Sequence, residues 1–177
     1  YEPGMDMPEN YDSSASTEQV VIGEHFKHFA DHTSTLTEKW PNFRGSSHDN
    51  ILTTSYPIND NWKQKEPRLA WKVATGEGHA APAIYDGLVY FIDYDEELRA
   101  DVLKCFVLET GQELWRRWYH VQIKRNHGMS RTIPAVNESV VLTMGPRCHV
   151  MCVDRLTGDL RWGIDLEKQY NTERSEE

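Results

Sequence analysis

From Leu69 onward, short apolar stretches of four to seven residues alternate with turns that contain Gly, Asn, Asp or Thr-Gly. Stretches of this length with these boundaries are typical of β-strands rather than helices. We predict strands near 69–73, 80–85, 88–93, 102–107, 113–118, 132–136, 139–144, 148–153 and 160–165. Several are apolar at every position, as from Leu88 to Ile92, so both faces of the sheet must be covered.

An internal repeat explains that double burial. Residues 82–90 (PAIYDGLVY) align with 134–142 (PAVNESVVL) at an offset of 52, and the spacing Cys-x4-Thr-Gly-x3-Trp at 105–115 recurs at 152–162 at an offset of 47. The five-residue difference falls in a longer acidic hairpin at 94–100. Four-stranded antiparallel units repeated at about 45 to 50 residues are typical of β-propeller blades.

A tryptophan ends each unit. Trp115 and Trp162 close the last strands, where we expect each to wedge against a neighbouring sheet together with the turns Thr110-Gly111 and Thr157-Gly158. Trp71 lies 44 residues ahead of Trp115 without a blade of its own. We interpret 69–73 as a closing strand, the last strand of a missing blade.

The N-terminal quarter differs in charge and pattern. Residues 1–40 contain eight acids and two bases. Ser16 and Gln19 have capping-box spacing, and apolar residues recur at helical intervals between Val21 and Phe29, which predicts a short amphipathic helix; a partly ordered arm is the alternative. We divide the chain into an acidic arm with this helix (1–39), a lead-in (40–68), a partial propeller (69–166, with blades at 80–118 and 131–166) and a polar tail (167–177).

Composition excludes several classes of protein. The chain has 19 Lys+Arg against 28 Asp+Glu, a net charge of −9, which argues against a nucleic-acid partner. No apolar run approaches the roughly 18 to 20 residues of a membrane-spanning helix, so we expect no membrane span. The three cysteines form neither a disulfide framework nor a paired metal motif.

The second repeat resembles the pyrroloquinoline-quinone-like (PQQ-like) β-propeller signature Ala-x-Asp-x-x-Thr-Gly-x-x-x-Trp. Residues 152–162 (CVDRLTGDLRW) match it with Cys152 in place of Ala, and the first copy has Cys105 for Ala and Val107 for Asp. Further stretches are similar to secreted bacterial proteins of this type: 40–45 (WPNFRG), 71–72, 76–79, 82–83, 124–131 (KRNHGMSR) and 145–149. The resemblance covers roughly 40–172.

This resemblance implies a ring of six to eight blades that is exported to the periplasm or the extracellular space, with the signal segment absent from this sequence. Two blades alone leave apolar sheet faces open to water. We therefore expect the partner to be the remaining propeller blades, supplied by another chain or by the rest of a longer polypeptide. The cofactor is left unidentified, with PQQ and calcium as one option.

Candidate binding chemistry is concentrated between the blades. Seven cationic or histidine side chains fall between Arg116 and Arg131, and Arg131 is the repeat equivalent of His79. We expect His79, Arg125, His127 and Arg131 to line the rim of a central funnel and to receive a small anionic ligand. Alternatively, these side chains pair with acids such as Asp93, Asp95, Glu96 and Glu97, or with the missing blades.

The sequence contains less evidence for a metal site or a catalytic site than for an anion-binding site. Cys148 and Cys152 point the same way along a strand but lie about 13 Å apart, so we predict no metal site there and treat Cys105 and Cys152 as core thiols. No adjacent cysteine pair of the kind found in quinoprotein dehydrogenases occurs. We assign no catalytic residue and favour a non-catalytic binding or assembly scaffold. The alternatives are a quinoprotein-type oxidoreductase subunit and an extracellular polysaccharide-binding propeller.

Overall fold

The computed structural model describes residues 19–32, 34–53, 61–123 and 130–170. Among these residues almost all regular structure is β. The elements are β1 His25–His28, β2 Lys39–Trp40, β3 Ala83–Tyr85, β4 Leu88–Asp95, β5 Ala100–Val107, β6 Glu113–His120, β7 Ala135–Val136, β8 Val140–Met144, β9 His149–Asp154, β10 Leu160–Asp165 and α1 Leu166–Tyr170.

The strands form two antiparallel sheets that follow the two sequence repeats. The first has the order β1-β6-β5-β4-β3-β2 and the second the order β10-β9-β8-β7. In both, four consecutive strands form a meander, and the equivalent residues Cys105 and Cys152 pair with the equivalent tryptophans Trp115 and Trp162. The prediction of two four-stranded units is confirmed, and the first unit carries an additional strand at each edge.

The core lies between the two sheets. One face of the first sheet, which includes Tyr90 and Trp115, packs against the face of the second sheet that includes Val141 and Met151. Every residue of β5 is buried, because its second face is also covered by the chain segment that precedes β3. The sequence prediction that both faces of such strands are covered is correct for this sheet.

The N-terminal helix is a wrong prediction. His25–His28 form a strand that pairs with β6 in antiparallel register, with His25 opposite Trp118 and His28 opposite Trp115. The outer edge of β6 offers unpaired backbone N–H and C=O groups, and a strand satisfies them where a helix cannot. Within the described residues, the five-residue α1 is the only helix, and no helix there is long and apolar enough to cross a bilayer.

The predicted closing strand at 69–73 does not form either. These residues lie over the face of β4 and β5 rather than along the edge of a described strand, so their backbone joins no ladder there. Trp71 is held by its side chain. The inner edge of β3 is instead covered by β2, which pairs Trp40 with Ile84. The next residue, Pro41, accepts a hydrogen bond from the backbone N–H of Val136 in β7 at 2.8 Å. The N-terminal segment thus runs along the innermost strands of both sheets.

Candidate functional site

Two of the four predicted rim residues lie at neighbouring backbone positions. The backbone N–H of His79 donates to the carbonyl of Ser130 at 2.8 Å, which places His79 beside Arg131. Both side chains are exposed, and each precedes the first strand of its blade by four residues. The repeat therefore brings an imidazole and a guanidinium to the same end of the two sheets. Arg125 and His127 lie outside the described residues.

A buried carboxylate lies directly beneath this position. Asp101 of β5 is fully buried and accepts hydrogen bonds from Ser130 Oγ at 2.8 Å and Tyr119 OH at 3.1 Å. Burial raises the pKa of Asp101 to about 6, and the two hydrogen bonds oppose that rise. The carboxylate thereby links the first blade to the segment that begins the second.

An ion pair is buried in the same sheet. Lys104 Nζ lies 2.8 Å from Asp93 Oδ2, and the backbone N–H of Gly76 donates to the same oxygen at 2.6 Å. Asp93 is one of the expected alternative partners of the rim cations, and in the structure it pairs with Lys104. The sequence signal for both buried sites is a charged residue within an otherwise apolar strand, at Asp93, Asp101 and Lys104.

These residues do not form a site for a calcium-bound quinone. Calcium requires several oxygen ligands that are free to coordinate it, whereas the Asp101 carboxylate is bonded to Ser130 and Tyr119, and Asp93 is paired with Lys104. The inner edges of β3 and β7 are also occupied by residues 39–41 of the chain itself. Asp101 and Asp93 therefore already have protein partners at the positions where a calcium ion would need their oxygens.

A cavity of about 280 Å³ lies on the outer face of the first sheet. The segment that precedes β3 forms one wall and strands β4 and β5 form the other. Its main lining residues are Trp71, Val73, Pro82, Val89, Phe91 and Phe106. Asp93 is the only acid that lines it, and that carboxylate is engaged by Lys104. The wall of the cavity is therefore mostly apolar.

The tryptophans meet the glycines of the Thr-Gly turns. Trp115 packs on Gly158, and Trp71 packs on Gly111. The indole N–H of Trp71 donates to the carbonyl of Leu108 at 2.7 Å, whereas the buried indole N–H of Trp115 has no hydrogen-bond partner. Trp71 therefore occupies, on the first blade, the position that Trp115 occupies on the second.

No described strand covers the far face of the second sheet. Its exposed apolar side chains are Leu142, Met144 and Trp162, with relative exposures of 37%, 43% and 44%. Their repeat equivalents in the first sheet are Tyr90, Ile92 and Trp115, with exposures of 0%, 1% and 1%. The second sheet covers the residues of the first sheet, whereas their equivalents in the second sheet stay exposed. We call the face of the second sheet that carries Leu142, Met144 and Trp162 the open flank.

The cysteines are free thiols. Cys105 and Cys152 are buried in equivalent strands, and Cys148 precedes β9 in a turn. His149 is buried against Tyr119, with ring centroids 5.5 Å apart, and its Nε2 atom lies 3.7 Å from Asp165. Burial lowers the pKa of His149, which the Asp165 carboxylate opposes. His149 is therefore held between Tyr119 and Asp165.

Comparison with known proteins gives one family. The family model described as Outer membrane protein assembly factor BamB, a PQQ-like repeat model, matches residues 61–177. The match includes all four strands of both blades. A search of curated proteins finds no match. Since the matched region covers well over half of the chain and the structure has the two expected sheets, this chain belongs to the PQQ-like β-propeller repeat family.

Proposed function

We propose that this chain is a non-catalytic PQQ-like propeller module that acts as a binding or assembly scaffold in an exported protein or complex. Its open flank receives a further PQQ-like blade. The supporting observation is the contrast between Trp115 and Trp162, which are equivalent in the repeat but are 1% and 44% exposed. A large aromatic side chain on a strand gains substantially from burial, so this flank is suited to a partner.

The interface between the two sheets of this chain indicates which surface the partner blade would offer to the open flank. Trp115 is received by the Gly158 turn, and the neighbouring surface is apolar at Val141, Met151 and Val153. A sheet with a Thr-Gly turn and an apolar facing strand would receive Trp162 in the same way. Such a blade comes from another chain or from the rest of a longer polypeptide. At the margin of the open flank, the side chains of Arg161 and Asp154 form an ion pair at 2.7 Å.

We place this role in the periplasm or the extracellular space. Support comes from the family description, which names an outer membrane assembly factor. A scaffold role also agrees with the site chemistry, because the buried carboxylates of the described residues are engaged in structural contacts. The quinoprotein and polysaccharide-binding alternatives have no comparable supporting observation.

The proposal that the open flank binds a further blade can be tested by fusing a third repeat to the chain. In the extended variant, a second copy of residues 119–166 is fused after Asp165. Because Asp165 is the repeat equivalent of Trp118, the added copy follows the second blade as the second blade follows the first. We expect a higher thermal midpoint and protection of Trp162 from acrylamide quenching. Trp162→Ser in the extended variant should abolish the gain, and Leu98→Ser, which alters a similarly exposed apolar residue on the first blade, should not. A third repeat that folds while Trp162 stays equally quenchable would contradict the proposal.

A further inference from the structure

Three potential metal ligands meet where the N-terminal strand joins the first blade. One ligand atom each from Glu24, His25 and His120 lies within 4.8 Å of the other two. The pairing of β1 with β6 creates this cluster, because it sets His25 opposite Trp118, and His120 lies two residues farther along the same face of β6. We propose that Glu24, His25 and His120 bind zinc or a similar divalent cation.

The histidine side chains are already oriented for coordination. His120 Nδ1 lies 2.8 Å from the carbonyl oxygen of Leu98. A carbonyl accepts only from a protonated nitrogen, so in the neutral ring this contact leaves the lone pair on Nε2. Metal-binding histidines in proteins are commonly fixed by such a bond from the nitrogen that does not bind the metal.

His25 is held between aromatic rings and carries an unsatisfied nitrogen. Its ring stacks on Trp118 with centroids 5.3 Å apart and meets His120 edge-on at 4.9 Å. The Nε2 atom is buried without a hydrogen bond, although it lies 3.1 Å from Glu24 Oε1. Buried polar nitrogens nearly always have a partner, and a cation between Nε2 and the carboxylate would supply one.

The donor set favours zinc. Two imidazole nitrogens and a carboxylate oxygen are a common zinc ligand set, with bonds of about 2.0–2.2 Å. Tetrahedral geometry with such bonds separates ligand atoms by about 3.3 Å, close to the 3.1 Å between His25 and Glu24. Because His120 and Glu24 are exposed, their side chains can close on the ion and leave the fourth position to water.

Metal binding at this position would fasten β1 to β6. The three ligands come from two segments that are distant in sequence, so binding would stabilise the docked form of the N-terminal strand relative to a detached one. Because each imidazole must be deprotonated to bind, the affinity is expected to fall as the pH falls. This inference does not depend on the open flank or on the proposed scaffold role.

The test uses the full chain without a polyhistidine tag, freed of metal with a chelator and titrated with zinc chloride in a calorimeter. We expect one equivalent to bind, with slower amide hydrogen exchange in His25–His28. Since loss of even an outer partner of a metal ligand costs about 10- to 100-fold in affinity, we expect His120→Gln and His25→Gln each to weaken binding at least that much. The matched control is His28→Gln on the same strand, which should leave binding unchanged.

Three results would overturn the site. One is the absence of stoichiometric zinc binding by the wild-type chain. Another is equal weakening by His28→Gln and His120→Gln, which would indicate scattered surface histidines. The third is unchanged binding in His120→Gln. Because His120 is exposed at the end of β6, that variant tests the site even if His25→Gln perturbs the packing on Trp118.

Discussion

Trp115 packs against Gly158 so closely that a methyl group at this glycine would lie 2.7 Å from the indole Cδ2 atom. Trp71 has the same relationship with Gly111, at 2.6 Å. The two glycines have φ values of +70° and +72°, a conformation that residues with a Cβ rarely adopt. The turn geometry and the approach of the indole therefore both require glycine at these positions.

This relationship predicts different costs for equivalent substitutions. Trp115→Ala is expected to lower the free energy of unfolding by about 3 to 5 kcal/mol, because it opens a cavity between the blades. Trp162→Ala removes a side chain that is nearly half exposed, and the loss should be less than about half as large. Urea denaturation of both variants measures the difference. Equal losses would contradict the prediction that the cost follows the burial of each indole.

The buried carboxylate of Asp101 predicts a pH dependence of stability. With a folded-state pKa of about 6, Asp101 binds its proton more tightly in the folded than in the unfolded state. The free energy of unfolding should therefore fall as the pH rises from about 4 to about 6. The difference between this pKa and the ordinary aspartate value corresponds to a loss of about 3 kcal/mol. Asp101→Asn cannot ionise and should lack this component in urea titrations across that range.

The hydroxyl of Ser130 provides the matched test. Its hydrogen bond lowers the pKa of Asp101, so Ser130→Ala should raise that pKa further and extend the stability loss to higher pH. A carbon-13 NMR titration of the carboxyl group would follow it directly. Identical pH profiles for the wild type, Ser130→Ala and Asp101→Asn would contradict this assignment.

Arg117 joins three segments of the structure. Its Nε donates to the carbonyl of Gly158 and its Nη1 to the carbonyl of Gly23, each at 2.6 Å, and its guanidinium lies 4.7 Å from the centroid of the Phe26 ring. Arg117→Met should lower the free energy of unfolding by about 2 to 4 kcal/mol, since it leaves carbonyl groups without donors. Amide hydrogen exchange in His25–His28 should accelerate.

The adjacent arginine is the control for that prediction. Arg116 pairs with Glu113 at 2.6 Å on the opposite face of β6, and such partly exposed pairs contribute about 1 kcal/mol or less. Arg116→Met should therefore leave the exchange of His25–His28 much less changed. Comparable acceleration in both variants would show that the N-terminal strand does not depend on Arg117.

The neighbouring positions of His79 and Arg131 predict a weak anion site. Calorimetric titration with citrate or inorganic phosphate should detect binding that Arg131→Ala and His79→Ala reduce without lowering the thermal midpoint. Arg161→Ala, at an exposed arginine paired with Asp154, should leave binding unaltered. A fall in the midpoint with no effect on anion binding would instead indicate that the rim side chains serve structural contacts.

The repeat accounts for what was predictable about the fold. Equivalent placement of Cys105 and Cys152, and of Trp115 and Trp162, indicated two similar four-stranded units, because strand length and turn residues are encoded locally. The N-terminal strand was missed for the opposite reason. The spacing of Val21, Phe26 and Phe29 suits a helix, but the free edge of β6 selects a strand, and that edge is distant in sequence.

The sequence by itself determined the eight strands of the two meanders and the equivalence of His79 and Arg131 ahead of the two blades, since each follows from short-range patterns that recur in both repeats. Only the tertiary structure decided which tryptophan is buried, which groups bond to Asp101 and Asp93, and that Glu24 and His25 meet His120. These features depend on contacts between segments far apart in the chain, whose energies arise only when the sheets are packed and the N-terminal strand is docked.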